Sequence, residues 1–377
     1  MVENAADATI KPYAACSVQA YWENYNPNLN GEFEGDTLKQ RNLQRMCAYI
    51  DACFKVGAIP RPVKLVCFPE FSIGGLYTPT TTTEEVKKWQ AITIPGPETD
   101  VLAEKAREHN IYIAASNHEN DPLRPDYFFN TAFIINPQGK IILKYRKLNV
   151  RFGCNPHDIL DEYQHPVTGT FDPFPVVDTS IGRLACMICG DINIPEIPRV
   201  YAIKGADVII RCDSGYGSWD MAIWTLRVRA RDNKIYIVND NWSARVLTTE
   251  EVVGGNRIPV LVDTQGGGGA AVIDYEGNIV RAGNRVAEAR GTAPQLVIGS
   301  IDVMALRNHR LTSMDGPAGI RTELYAPYYN KPIYPVNSVL KEGPLAHRAE
   351  PKKNRWDQEG RDNWKKLWDF YSENDVK

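Results

Sequence analysis

The stretch LACMICGDINIPEIPR, residues 184–199, constrains this chain more than any other. Its apolar run from Leu184 to Ile188 reads as a buried strand. The run stops at Cys189, Gly190 and Asp191, and a proline-containing segment from Ile194 opens a helix. Cys189 therefore sits where a strand hands over to a turn, beside backbone N–H groups that no strand partner claims and that favour a thiolate. That is a place for a nucleophile. With eight cysteines in the chain, Cys189 taken alone reads equally well as one more core thiol, so the decision falls to other stretches.

Apolar patterning predicts strands over 13–18, 64–68, 111–116, 131–135, 141–145, 174–177, 206–211, 235–239, 271–274 and 296–302. Helices are predicted over 38–56, 95–110 and 219–233, where apolar residues recur at three and four. This is α/β patterning. The run Gly266 to Gly269 lacks the Lys-Ser/Thr of a phosphate loop and reads as a flexible or close-packed turn. From Met304 onward proline, tyrosine and charge dominate, and regular pattern returns over 356–371. The expected organisation is one large domain over 10–305 and an extension over 306–377 that packs on the domain or at a subunit interface.

A net charge of -3 without long single-sign runs leaves no footprint for nucleic acid or anionic membrane, which points to small-molecule partners. No apolar run approaches the roughly eighteen residues of a membrane span. The first residues show neither a basic nor an apolar leader pattern, so a cytoplasmic protein with reduced thiols is expected. Cys186 and Cys189 form a C-x-x-C, but residues three apart on a strand face opposite ways. A zinc site would want a second close pair, whereas Cys154 and Cys212 stand alone.

Two further strand ends carry chemistry. The strand 64–68 ends in Pro69-Glu70-Phe71, and a carboxylate there is costly unless it is solvated, paired or catalytic. The hairpin through Asn136-Pro137-Gln138-Gly139 delivers Lys147. If these strands are neighbours or lie in facing sheets, Glu70, Lys147 and Cys189 meet in one cleft. Glu70 can then take the thiol proton, Cys189 attack a carbonyl carbon, and Lys147 with the Gly190 N–H hold the oxyanion.

The trio resembles the Glu-Lys-Cys triad of the carbon–nitrogen hydrolase, or nitrilase, superfamily. The resemblance rests on FPEFS at 68–72, KYRKL at 144–148 and CGDINIPEIPR at 189–199, and extends through IPGPET at 94–99, GADVIIR at 205–211 and RARDNKIYIVNDN at 229–241. It implies a four-layer α-β-β-α sandwich, assembly into homo-oligomers, no metal and no cofactor. Nitrilases of the family carry a Trp-Glu pair after the cysteine, where Gly190-Asp191 stands here, so the resemblance is to the amidase and carbamoylase branches. Carbamoylases that grip a substrate carboxylate place two arginines where Ile192 and Asn193 stand, which favours a neutral amide.

The family's second glutamate is out of place. Counting from Lys147 reaches Asn155; counting back from residues 174–176 and allowing one inserted residue reaches Glu162, the position expected to serve, with Asp158 a third possibility. Phe71, Tyr77, Asn117 and Phe152 are expected to bind substrate. So are His157, Tyr216, Trp219 and Trp242. The expected activity is thiol-dependent hydrolysis of a small neutral amide with release of ammonia. A carbamoyl substrate comes second and a nitrile third; a non-catalytic binding protein of the same fold is the rival.

Overall fold

Alternation along the first strand separates the layers. In β1 (Tyr13–Gln19) Tyr13 and Ala15 enter one apolar cluster, whereas Ala14, Cys16 and Val18 enter another, because residues two apart on a strand share a face. The computed structural model describes residues 9–24, 35–57, 59–77, 81–148, 153–163, 172–215, 219–243, 245–253, 256–265, 267–282, 285–289, 293–330, 362 and 365–366.

The strands that follow are β2 (Val63–Cys67), β3 (Tyr112–Glu119), β4 (Phe129–Ile135), β5 (Ile141–Arg146), β6 (Val177–Thr179), β7 (Gly182–Ile188), β8 (Val208–Cys212) and β9 (Tyr236–Asp240). Beyond them come β10 (Arg245–Val253), β11 (Asn256–Gln265), β12 (Ala271–Ile273), the two-residue pair β13 (Arg281–Ala282) and β14 (Arg285–Val286), and β15 (Gln295–Ile301). One sheet has the order β15-β1-β2-β3-β4-β5 and a second the order β12-β9-β8-β7-β6. Their facing sides share a core in which Ala15, Leu65, Cys67 and Ala114 of the first sheet join Cys186 and Ile210 of the second, which are paired in register. Helices Gly35–Cys53 and Pro97–His109 contribute Met46, Ile50, Leu102 and Ala106 to the cluster on the outer face of the first sheet. On the second sheet, helices Glu196–Ile203 and Trp219–Asn233 bring Ile197, Tyr201, Ile223 and Leu226. The α-β-β-α sandwich is thus the observed architecture.

Local chemistry explains the element ends. Pro97 opens its helix at the first-turn position, where its missing N–H costs nothing. The Thr99 hydroxyl accepts from the Gly96 N–H at 2.9 Å, and Asn110 closes the helix in the left-handed region at φ 53°.

Topology brings the strand ends together. β2 and β3 run parallel, β4 reverses, and β5 reverses again, so β2 and β5 end at the same edge of the sheet. In the facing sheet β7, β8 and β9 are mutually parallel. The Glu70 N–H donates to the Asp213 carbonyl at 3.3 Å and ties the two edges.

Elements beyond the sequence reading include the hairpin β10–β11, the pair β13–β14, the helix Thr322–Tyr329 and a helix at Val303–Thr312 that spans the expected 305/306 boundary, and the strand expected over 174–177 lies instead at 177–179. The glycine run is a close-packed turn: Gly267 has φ +65°, and a side chain there would meet the Trp242 carbonyl at 1.9 Å. Nearly all of the patterned stretch 356–371 lies outside the described residues.

Candidate active site

Glu70 is the hub. It follows β2 by three residues and is turned by Phe71, whose φ of 60° is a left-handed conformation rare for a non-glycine residue. Its carbonyl accepts the Trp242 indole N–H at 2.6 Å. Its Oε1 accepts the Lys147 ammonium at 2.8 Å and the Asn130 amide at 2.6 Å, and its Oε2 accepts the Ser214 hydroxyl. The carboxylate is 2 % exposed, so these donors replace the water it has lost.

Lys147 emerges from the end of β5, and its N–H donates to the Asn130 carbonyl at 2.9 Å, which sets ammonium and amide side by side on Glu70. Burial alone would pull the ammonium down. The Glu70 carboxylate, with Cys189 and Asp191 beyond it, outweighs burial and holds the group above its ordinary value. Lys147 is therefore a fixed cation.

Cys189 follows β7 directly and opens the 3-10 turn Cys189–Asn193 at φ 47°. In such a turn the Gly190 N–H has no partner within the helix. The Cys189 carbonyl accepts Arg211 Nε at 2.9 Å, and the same guanidinium reaches Asn239 Oδ1 at 2.6 Å and Asp213 Oδ2 at 2.7 Å. Asp191 accepts the Tyr145 hydroxyl at 2.7 Å and the Ile188 N–H at 3.1 Å, which pins the turn to β5. The Cys189 sulfur, one Glu70 oxygen and one Asp213 oxygen all lie within 4.8 Å of one another.

The turn's N–H groups, expected to favour a thiolate, are opposed by the rest of the site. Burial, then the Glu70 and Asp213 carboxylates, push the thiol well above its ordinary value, against the pull of Lys147 and Arg211. The resting group is a neutral thiol that needs a base in the step that uses it. Cys186 is fully buried in the inter-sheet core, whereas Cys189 is part-exposed, as strand geometry requires.

Other expected residues fall elsewhere. Asn117 is fully buried and committed to the backbone, donating to the Gln90 carbonyl at 2.8 Å and accepting the Gly74 N–H at 2.8 Å; it locks two loops instead of meeting substrate. Trp242 braces the Glu70 backbone, as its indole bond shows. The Phe71 ring lies 4.3 Å from that of His118 and 6.1 Å from that of Tyr77, in an aromatic cluster of which only Tyr77 is part-exposed. His157 is half-buried on the turn Pro156–Ile159, where Asn155 donates to Asp158 Oδ2 at 2.9 Å. Phe152 and Tyr216 lie outside the described residues, as do the side chains of Glu162 and Trp219.

Sequence reasoning missed Asn130, Arg211, Asp213 and Ser214. Arg211 left a signal, a guanidinium inside the apolar run VIIRC. Among the described residues, two side-chain groups have metal-like spacing, Glu70–Cys189–Asp213 and Asp51–Glu108–His109. A lysine ammonium already contacts a carboxylate of each, Lys147 on Glu70 in the first and Lys105, at 2.8 Å from Asp51, in the second.

Comparison with known proteins follows from this geometry. The model of the carbon-nitrogen hydrolase family matches residues 24–310. Formamidases of Bacillus thuringiensis, Bacillus cereus and Bacillus anthracis are 40% identical over 182 residues, 48% of this chain and 50% of theirs. The chain thus matches about half the length of these curated relatives. An amidase of Nesterenkonia, solved as a mutant, superposes with TM-score 0.56 at 18% identity, covering 84% of this chain and 97% of that one. The Saccharomyces cerevisiae Nit3 protein, a nitrilase-superfamily member, gives 0.57 at 21%, covering 80% and 94%. Another mutant of the Nesterenkonia amidase, with TM-score 0.55 at 18% identity over 84% and 96% of the two chains, carries the acetamide moiety of fluoroacetamide on its active-site cysteine.

Proposed function

Because the chain belongs to the carbon–nitrogen hydrolase family, we propose that it cleaves the C–N bond of a small neutral amide through a thioester on Cys189 and releases ammonia. The observation that carries this reading is the 2.8 Å bond from Lys147 to Glu70, with the Cys189 sulfur within 4.8 Å of a Glu70 oxygen. Glu70 takes the thiol proton as sulfur attacks the carbonyl carbon, which avoids a free thiolate. The oxyanion so formed is held by the Lys147 ammonium and the Gly190 N–H. Glu70 passes its proton to the departing nitrogen, and ammonia leaves. Water then gives a proton to Glu70 and attacks the thioester; the sulfur departs and recovers its proton.

The formamidase names of the relatives and the covalent adduct on the Nesterenkonia amidase support a small amide and a thiol nucleophile. Ile192 and Asn193 leave a substrate carboxylate without an arginine pair, in keeping with a neutral substrate. Ammonia release from a panel of primary amides, ureas and nitriles tests the reading. Amides should be fastest, ureas second and nitriles poor; a nitrile turned to its acid faster than the matching amide overturns it.

We also propose that the chain self-associates. Ile203, Trp224 and Val228 are exposed on the neighbouring helices Glu196–Ile203 and Trp219–Asn233, and Ile194 precedes the first of these. The helix Thr322–Tyr329 exposes Leu324, Tyr325, Tyr328 and Tyr329 and is tied to this face by the Tyr329 hydroxyl, which donates to Glu196 at 2.8 Å. A second copy, with the extension 306–377 at the contact, would cover this apolar area. No helix among the described residues is long and apolar enough to cross a membrane. All eight cysteines are free, in keeping with the cytoplasmic setting we propose.

A further inference from the structure

The geometry points to Asp213 as a specificity-determining residue: its carboxylate accepts one N–H of the substrate's unsubstituted –NH2 group while Glu70 accepts the other. This rests on the reading of the protein as an amide hydrolase and goes beyond it by assigning a residue and a leaving-group preference.

Asp213 directly follows β8 and is 2 % exposed. Its direction is fixed from two sides. The Gly215 N–H donates to Oδ1 at 3.0 Å, and Arg211, itself held on the Cys189 carbonyl, reaches Oδ2 at 2.7 Å. A carboxylate offers about four lone-pair positions over its two oxygens, so Asp213 retains acceptor capacity after these two bonds. Glu70 has three donors in Lys147, Asn130 and Ser214, two on Oε1 and one on Oε2, and retains one position on Oε2, which accepts the substrate N–H on binding and, once that contact is released as the carbon becomes tetrahedral, the thiol proton.

The site is compact enough for one nitrogen to reach both acceptors. The two N–H bonds of a primary amide diverge by about 120°, so acceptors at an ordinary hydrogen-bond length of about 2.9 Å from its nitrogen stand about 5 Å apart. The Glu70 and Asp213 oxygens are within 4.8 Å of each other, and both are within 4.8 Å of the sulfur that bonds the adjacent carbon. An N-alkyl amide has one N–H to offer and sets an alkyl group against a carboxylate. An ester has none and turns oxygen lone pairs toward two acceptors. Discrimination of this kind is steep because the site's own buried polar groups are left unpaired by the wrong substrate.

The test measures kcat/KM of the full chain for three leaving groups on one acyl group: formamide, N-methylformamide and methyl formate, or the acetyl equivalents. The unmodified protein should prefer the primary amide over the N-methyl amide by at least about tenfold. Asp213→Asn and Asp213→Ala should lower primary-amide turnover by about ten- to a hundredfold, the worth of one charge-assisted hydrogen bond. They should leave ester turnover within about threefold, so that the amide-to-ester ratio collapses. If Asp213 serves only to hold Arg211 and the Cys189 turn, amide and ester fall together and the ratio stays, which overturns the proposal. Should neither variant fold, equal rates of the unmodified protein on primary and N-methyl amides overturn it as well. A chain that releases no ammonia from any amide and leaves Cys189 unacylated refutes the amidase reading instead.

Discussion

Asp191 makes the protein's stability depend on pH in a direction opposite to that of a salt-bridged carboxylate. It lies fully buried two residues after Cys189 and accepts the Tyr145 hydroxyl and the Ile188 N–H. Burial pushes its carboxyl from the ordinary 3.8 up to about 6, with Lys147 and the two hydrogen bonds offsetting only part of the desolvation. Between these values the folded chain holds a proton that the unfolded chain has released. Stability from this group is therefore greatest below about pH 4 and falls as pH rises through the window to about 6. The loss totals roughly 3 kcal/mol by pH 7. Asp191→Asn keeps an oxygen acceptor for both donors and removes the titration. Guanidinium unfolding followed by tryptophan fluorescence, at half-unit steps from pH 4 to 7, should show the variant gaining about 3 kcal/mol on the parent across the series. A difference between the two proteins that stays level with pH would refute the reasoning, whatever its size.

Cys189→Ala should abolish turnover with the fold intact by circular dichroism, whereas Cys186→Ala, in the inter-sheet core, should keep most activity; the reverse would show that the nucleophile is misassigned. Lys147→Met should lower amide kcat by about a hundred- to a thousandfold, as loss of an oxyanion donor does, and a fall of less than about tenfold would remove Lys147 from that role. Because the Cys189 thiol is held up by burial and its acidic neighbours, iodoacetamide labelling at pH 7 should depend on Glu70; a Glu70→Gln protein labelled as fast as the parent would point to a free thiolate. Truncation after about residue 330 should reduce the oligomer size seen by light scattering, and an unchanged size would place the subunit contact elsewhere.

The strand ends were legible because they are local. An apolar run broken by Cys189-Gly190-Asp191, or by Pro69-Glu70, announces both the end of a strand and a polar group that has to be accounted for. What surrounds Glu70 was not legible, since Asn130 and Ser214 come from 60 and 144 residues away and look ordinary in their own segments. The hairpin β10–β11 was hidden by Pro259 and by threonines and glutamates that blur the alternation. The helix Val303–Thr312 did carry a local sign, the Asp302 side chain that caps it by accepting the Ala305 N–H at 2.9 Å, with Val303 and Leu306 buried three apart. The proline- and tyrosine-rich sequence beyond it obscured that sign.

Glu70 and Lys147 ride on one sheet, while Cys189 and Asp213 ride on the other. In the mechanism we propose, the gap that the proton crosses is thus set by how far apart two layers of side chains hold the sheets, among them Cys67, Cys186 and Ile210 well below the cleft. Proton transfer needs donor and acceptor at hydrogen-bond distance, whereas folding tolerates a few tenths of an ångström of swelling at modest cost. Turnover in this protein is consequently a finer caliper of interior packing than its melting temperature. Conservative changes far from the cleft should register in kcat before they register in stability.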